Sequence, residues 1–323
     1  MIAGPVCKTS PSFAAPVANI PTGRIHAGSA VLIIARKEFG DRFRSGWVLA
    51  CILVWLGAIG LTSLFGLLQI GRIGILGYER TVVSLLNLVQ YLVPLLGLLL
   101  GHDLIVSENE ERTLRLVLAS GISRTRVIGG KFLGGCLTLA LPLLLGFVLA
   151  GFVIGIAARD LTIAPFLRLA FSGLGLGFVF LALGLMVSVF ARTRVQALVA
   201  ALLTWCLVVF VFDLVALGFL VSHHAPAAAR EIELVCDATH LNAATDIHSA
   251  LDVANGPAVQ HSETAVSSSL RWLALNPVDL FRAVNLSHQL GLDVGWLWMA
   301  GISTLWLALP LFASLWRFHR NDL

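Results

Sequence analysis

Leu169-Ala-Phe-Ser-Gly-Leu-Gly-Leu-Gly-Phe-Val-Phe-Leu-Ala-Leu-Gly-Leu-Met-Val-Ser-Val-Phe190 carries no charged side chain from end to end. A helix needs about 20 such residues to cross the ~30 Å hydrocarbon core of a bilayer, and there the backbone must satisfy its own hydrogen bonds. The stretch reads as a transmembrane helix. Outward from it, residues 47–70, 81–105, 132–157, 195–221 and 294–316 read the same way, which makes six spans. The composition agrees: of 323 residues 58% are hydrophobic and 12% charged, against about 25% charged in soluble domains, and the mean hydropathy is +0.89. A soluble enzyme and a disordered adaptor are both excluded.

Six spans put both ends of the chain on one side of the membrane. Fifteen Lys and Arg residues fall in the N-terminal tail, the 106–131 loop, the 191–194 loop and the C-terminus, against seven in the alternate loops, so the positive-inside rule predicts cytoplasmic termini. The net charge of +4 is shared among these loops, which speaks for topology and against a nucleic-acid patch. Residues 1–29, with Pro5, Pro11, Pro16 and Pro21 and no apolar run behind Lys8, predict a flexible cytoplasmic tail in place of a secretory signal. Over 30–46, Leu32, Ala35, Phe39 and Phe43 recur at helical spacing opposite Arg36, Lys37, Asp41 and Arg44, predicting an interfacial elbow helix. Trp47, Trp272, Trp296 and Trp316 lie near span ends, where an indole anchors a helix at the interface. The pairs Gly97/Gly101, Gly130/Gly134, Gly151/Gly155 and Gly173/Gly177 permit close helix approach, but among 30 glycines such spacings arise by chance and receive no specific role.

The layout is then a tail (1–29), the elbow helix (30–46), spans one to five (47–221) with a cytoplasmic loop at 106–127, an outer insert (222–293), a sixth span (294–316) and a cytoplasmic tail (317–323). Within the insert, the Asn276-Pro277 start predicts a short helix at 276–286 that folds back on the bundle. The acidic excess of residues 223–263 fits the outer side, as does their polarity. Five of the nine histidines (His223, His224, His240, His248 and His261) and Cys236 lie there. Imidazole and thiolate suit copper, yet His223-His224 is the only close pair, so no metal ligands are assigned and the insert reads better as a docking surface for an outer partner. Cys7, Cys51, Cys136, Cys206 and Cys236 form no CxxC pair.

The loop Ser107-Glu-Asn-Glu-Glu-Arg-Thr-Leu114 is the candidate coupling element. Ser107 and Glu110 match a capping box, Glu108 and Glu111 suit the positive end of a helix, Gly121 offers a stop, and Leu114, Val117 and Leu118 share an apolar face. Glu108, Glu110, Glu111, Arg112 and Leu114 are candidates to receive force from a separate motor; an ordinary interfacial loop helix is the alternative. Gly130-Lys131 is followed by Phe132 and lacks the earlier glycine of a phosphate loop, so nucleotide chemistry belongs to a partner. Asp213, inside span five, needs a counter-ion or water, and Arg282 is the candidate; the pair reads equally as a charge lock that changes with state and as a static brace. His102 and Asp103, near the inner end of span two, are gate candidates, and interfacial solvation explains them as well.

Several stretches carry a family resemblance: Ala35-Arg-Lys-Glu-Phe-Gly-Asp-Arg-Phe-Arg-Ser-Gly-Trp47, then Pro94, Ser107 to Leu114, and Gly130-Lys-Phe-Leu133. In order and spacing they resemble the ABC-2 type permeases. Val211-Phe-Asp-Leu-Val215 and Leu275-Asn-Pro-Val-Asp-Leu-Phe-Arg-Ala-Val-Asn-Leu286 narrow the resemblance to the Nos-type permeases, which serve maturation of the copper sites of nitrous-oxide reductase. It covers about residues 31–221 and 270–320. The resemblance implies an all-α integral membrane protein with the ABC-2, type V exporter-like permease fold, in a bacterial inner membrane. It implies a homodimer, with spans one and five at its interface, and a separate ABC ATPase that binds ATP and Mg and contacts the loop from Glu108 through Arg124 to Arg126. Further implied partners are a periplasmic β-helix copper-handling protein and a copper-binding lipoprotein, with no cofactor bound by this chain. The insert at 222–269 is longer, more acidic and richer in histidine than that pattern. One alternative is a general ABC-2 exporter permease for a lipid, drug or sulfur compound. An integral membrane enzyme is a weaker alternative, because no HExxH or GxSxG motif and no compact acid, base and nucleophile set occurs.

Overall fold

The computed structural model describes residues 27–73, 75–111, 123–157, 163–215, 218, 276–286 and 296–320. All regular structure among them is helical. Helix α1 is Ala27–Phe43, α2 Gly46–Ile73, α3 Ile75–Gly101, α4 Val106–Glu110, α5 Arg124–Ala157, α6 Ile163–Phe190 and α7 Arg194–Cys206. A π turn, Leu207–Val211, continues α7, and α8 (Pro277–Leu286) and α9 (Trp296–Arg320) complete the chain order. Helices α2, α3, α5, α6, α7 and α9 supply six segments long and apolar enough to span a bilayer. In lipid the tails are as apolar as leucine, so close packing and polar ties, more than burial from water, decide how these helices associate.

The most extensive contact in the bundle is between α3 and α6. Its closest point is glycine on glycine: a Cβ added at Gly101 would lie 2.7 Å from the Cα of Gly184, and one at Gly184 would lie 2.8 Å from the Cα of Gly101. No other residue fits either position without separating the two backbones. Helix α2 is tied to α5 by Trp55, fully buried, whose indole N–H donates to the Pro142 carbonyl at 2.9 Å and whose ring meets Phe147 edge-on at 5.9 Å. Outward-facing apolar residues, such as Val148 on α5 and Phe312 on α9, are exposed as lipid-facing side chains are.

Helix α1 lies along α5, and its packed face differs from the one expected. Ala30 and Ala35 are buried, while Leu32 and Ile33 are 64% and 61% exposed on the side away from the bundle. The reason is the partner surface: Gly130 and Gly134 of α5 bring Ile34 and Glu38 of α1 close, so these two residues join Ala30 and Ala35 on the packed side while Leu32 and Ile33 turn outward. Trp47 and Trp316, expected at the interface, are about half exposed.

Candidate functional site

The end of α3 shows how the inner site is built. Helix α3 stops at Gly101, the chain turns through His102 to Ile105, and α4 starts at Val106. The backbone N–H groups of Ile105 and Val106 both donate to the buried Ser188 hydroxyl of α6, at 2.9 and 3.0 Å. Ser188 thereby takes up two of the donors that every helix start leaves unpaired.

The capping box expected at Ser107 and Glu110 does not form. Ser107 donates to the Asp103 carbonyl at 2.6 Å, and Ile105 at the N-cap supplies no side-chain cap of its own. Glu111 lies at the C-terminal end of α4, not in its first turn. A pair with that spacing acts at α7 instead: Thr193 accepts from the Gln196 backbone N–H at 3.2 Å, Gln196 accepts from the Arg192 N–H at 3.3 Å, and together they start α7. A carboxylate serves best near a helix N-terminus, and Glu110 finds that place in α7, accepting from the Arg194 backbone N–H at 2.8 Å.

Two cation-centred clusters result on this side. Lys131 of α5, its side chain 4% exposed, bridges Glu38 of α1 at 3.0 Å and Glu108 of α4 at 2.9 Å. Arg42 adds a 2.7 Å pair to Glu38 and donates to the Leu100 carbonyl of α3 at 2.9 Å. Burial pushes the Glu38 carboxyl up, but Lys131 and Arg42 more than offset this and hold it below its ordinary value. The second cluster is more open: Arg194 meets Glu110 at 3.2 Å, Asp103 at 3.7 Å and, in a short contact, Glu111. Thus α4, five residues long, is joined through Glu108 to Lys131 of α5 and through Glu110 to Arg194 of α7.

The remaining inner candidates are placed as follows. His102 Nδ1 lies 2.7 Å from the carbonyl of Leu99 on its own helix, while Asp103 faces Arg194. Arg124 donates to the carbonyls of Phe318 and His319 at 2.8 and 3.1 Å, where a cation suits the negative end of α9. Arg126 lies in the first turn of α5. Arg112 and Leu114 lie outside the described residues, as do the rest of the loop to 122 and the insert histidines with Cys236. Among the described residues no His, Cys, Asp and Glu group could hold a metal ion.

At the other end of α7 the π turn releases a carbonyl from the helix ladder, as such turns do. The side chain of Asn276 donates to that Val208 carbonyl at 3.1 Å and to Asp279 at 3.2 Å, while its own oxygen accepts from the Val278 N–H at 3.3 Å to start α8. Asn276 thus docks α8 on the bundle, with Val278, Asp279, Leu280 and Phe281 buried. Docking brings Arg282 onto Asp213 as a two-pronged pair, at 2.7 and 2.9 Å. The same guanidinium reaches Asp279 at 2.8 Å and Gln90 of α3 at 2.6 Å. Burial pushes the Asp279 carboxyl above its ordinary value; Arg282 opposes the rise and Asp213 adds to it.

Sequence reading named Asp213 and Arg282 but missed Asp279, Gln90 and Asn276. It also missed Glu38, Arg42, Lys131 and Arg194 as site residues. The signals were present: Asp279 stands three residues before Arg282, and Gln90 and Lys131 are polar groups within or beside apolar runs.

A bundle of six spans, with a short helix beside them held by ion pairs, has the build of a transport subunit. A family model for the ABC-2 family transporter proteins matches residues 32–323, and the chain belongs to that family. It is similar to the probable ABC transporter permease protein NosY of Pseudomonas aeruginosa, 37% identical over 254 residues that cover 76% of this chain and 92% of that protein. It is likewise similar to the probable ABC transporter permease protein NosY of Stutzerimonas stutzeri, 38% identical over 193 residues, 58% of this chain and 70% of that one. The chain is a multi-pass permease subunit of an ABC transporter.

Proposed function

We propose that this chain is the non-catalytic membrane subunit of a Nos-type complex, in which a separate ABC ATPase binds ATP and Mg and drives a change on the outer side that serves assembly of the copper sites of nitrous-oxide reductase. Two copies form the membrane part, in a bacterial inner membrane with both termini cytoplasmic. A periplasmic β-helix protein that handles copper docks on the outer insert and is served by a copper-binding lipoprotein. No cofactor is bound by this chain.

The observation that carries the proposal is the joining of α4 by ions to two separate parts of the bundle. Its acids are engaged by this chain's own cations: Glu108 by Lys131, Glu110 and Glu111 by Arg194. They transmit a push more than they receive it. A push on the loop after α4 reaches Arg194, the first residue of α7, and the same span, Arg194–Val215, carries near its other end Asp213 and the Val208 carbonyl on which α8 docks.

The test is to purify the tagged complex from native membranes and identify its chains by mass spectrometry. An ABC ATPase together with a β-helix partner is expected; an ATPase alone would favour a general exporter. In the same complex Glu111→Lys, at a 60% exposed side chain, sets a like charge against Arg194. The complex is expected to stay assembled while copper loading of nitrous-oxide reductase in cells falls at least tenfold, a change of about 1.4 kcal/mol in coupling. Full copper loading with an assembled Glu111→Lys complex would defeat the proposal.

A further inference from the structure

A groove of about 540 Å³ opens between α6, α8 and α9, within the ~300–1,000 Å³ range of small-molecule sites. Its walls are apolar, with Phe281 and Val284 on α8 and Met299 and Leu307 on α9. One charged residue lines it, Arg168 on α6, two residues inside the span Phe166–Phe190. Among the described residues nothing pairs with the Arg168 guanidinium. The charge clusters described above lie elsewhere and leave this cation unused.

An arginine at the edge of the hydrocarbon core reaches for the interface, where lipid phosphates lie. From Arg168 the groove follows α6 to Val179, eleven residues or ~16 Å of helix. Half of a ~30 Å hydrocarbon core is of that length. The groove thus has a cation at headgroup level and apolar walls that reach about the midplane, which is the shape and charge of one phospholipid chain with its phosphate.

We propose that this groove is a phospholipid site, in which Arg168 holds the phosphodiester and the α6, α8 and α9 walls take an acyl chain. Such a lipid would lie against α8, the helix that carries Arg282 and Asp279, and would make the docking of α8 sensitive to the lipid around it. The site does not depend on which partners the complex has.

The complex in nanodiscs, with a phosphatidylglycerol probe carrying a diazirine on its acyl chain, provides the test. Photolabelling is expected to concentrate on peptides spanning residues 171–179 and 299–307, to fall about fivefold in Arg168→Gln, and to recover in Arg168→Lys. A diacylglycerol probe without phosphate is expected to label at the level of the Arg168→Gln protein. Equal labelling of wild type and Arg168→Gln, or by both probes, would overturn the proposal. So would crosslinks from these peptides to a second copy or to another segment of the chain, since protein would then fill the groove. Labelling at Val148 and Phe152 on α5, which are 68% and 67% exposed, reports that the variant is folded. If Arg168→Gln fails that control, Ser303→Trp, which fills the groove from α9, must lower the groove labelling for the proposal to stand.

Discussion

Lys131 and Arg282 each stand between two carboxylates from two helices, yet the two clusters differ in charge balance. Around Lys131, Arg42 supplies a second cation, so Glu38 and Glu108 are both compensated, and the ammonium is almost wholly buried. Around Arg282, Asp213 and Asp279 share one guanidinium with only neutral Gln90 and Asn276 beside them. A balanced buried cluster behaves as a brace, because removing any member leaves a costly unpaired charge. A cluster with one carboxylate in excess is open to a change of charge: burial raises the Asp279 carboxyl, and Asp213 adds to the rise. Helix α3 touches both, through the Leu100 carbonyl at its end and Gln90 near its middle. The Lys131 cluster thus fixes α1, α4 and α5, and the Arg282 cluster holds α8 by contacts that can be altered.

The comparison breaks most directly at Lys131. Lys131→Met leaves Glu38 and Glu108 facing each other beside Arg42 alone, and a loss of about 3–5 kcal/mol is expected in the stability of the detergent-purified chain. A Lys131→Met chain that also carries Glu108→Gln should regain much of this, since the excess charge is gone. Equal thermal midpoints for wild type and Lys131→Met would remove the brace.

A smaller effect is expected at the outer cluster. Arg282→Gln leaves Asp213 and Asp279 without a cation, but about a quarter of the Asp213 side chain reaches solvent and one acid can take up a proton. The expected cost is about 1–3 kcal/mol, seen as faster hydrogen exchange in α8 with α5 unchanged. Protection lost equally in both helices would show that the two clusters form one unit.

The smallest effect, and the sharpest, is the response to pH. The folded value of Glu38 lies below its ordinary value, so its contribution is present above the ordinary carboxylate range and is lost as pH falls through the lowered value. Asp279 has the opposite sign: its folded value is raised, so its burial costs stability while ionised, and that cost is relieved as pH falls through the raised value. On acidification α8 should tighten first, and α1 should loosen later, at lower pH. Hydrogen exchange followed against pH checks the order, with Asp279→Asn expected to abolish the first change and Glu38→Gln the second.

Parts of the site were legible because charge in an apolar run stands out. Asp213 in a span demands a counter-ion, and Arg282, in a short helix behind Asn276-Pro277, was the cation to name. Ser107 and Glu110 misled, because the capping-box spacing is a local signal and the local helix lost the competition: Ser107 turned back to Asp103, and Glu110 found the N-terminus of a helix 84 residues further along. Lys131 was read only as a failed phosphate-loop lysine, since nothing in its neighbourhood along the chain shows two acids waiting on other helices.

The sequence by itself determined the solvent, the number of spans, their approximate ends and the charge bias of the loops, because hydropathy and charge add up locally along the chain. The partners of each charge were decided by tertiary structure alone. Whether Lys131 meets Glu108, or Arg282 meets Asp279 and Gln90 together, depends on the rotation and separation of neighbouring helices. Those are set by contacts such as Gly101 against Gly184, where two backbones approach as closely as a missing Cβ allows.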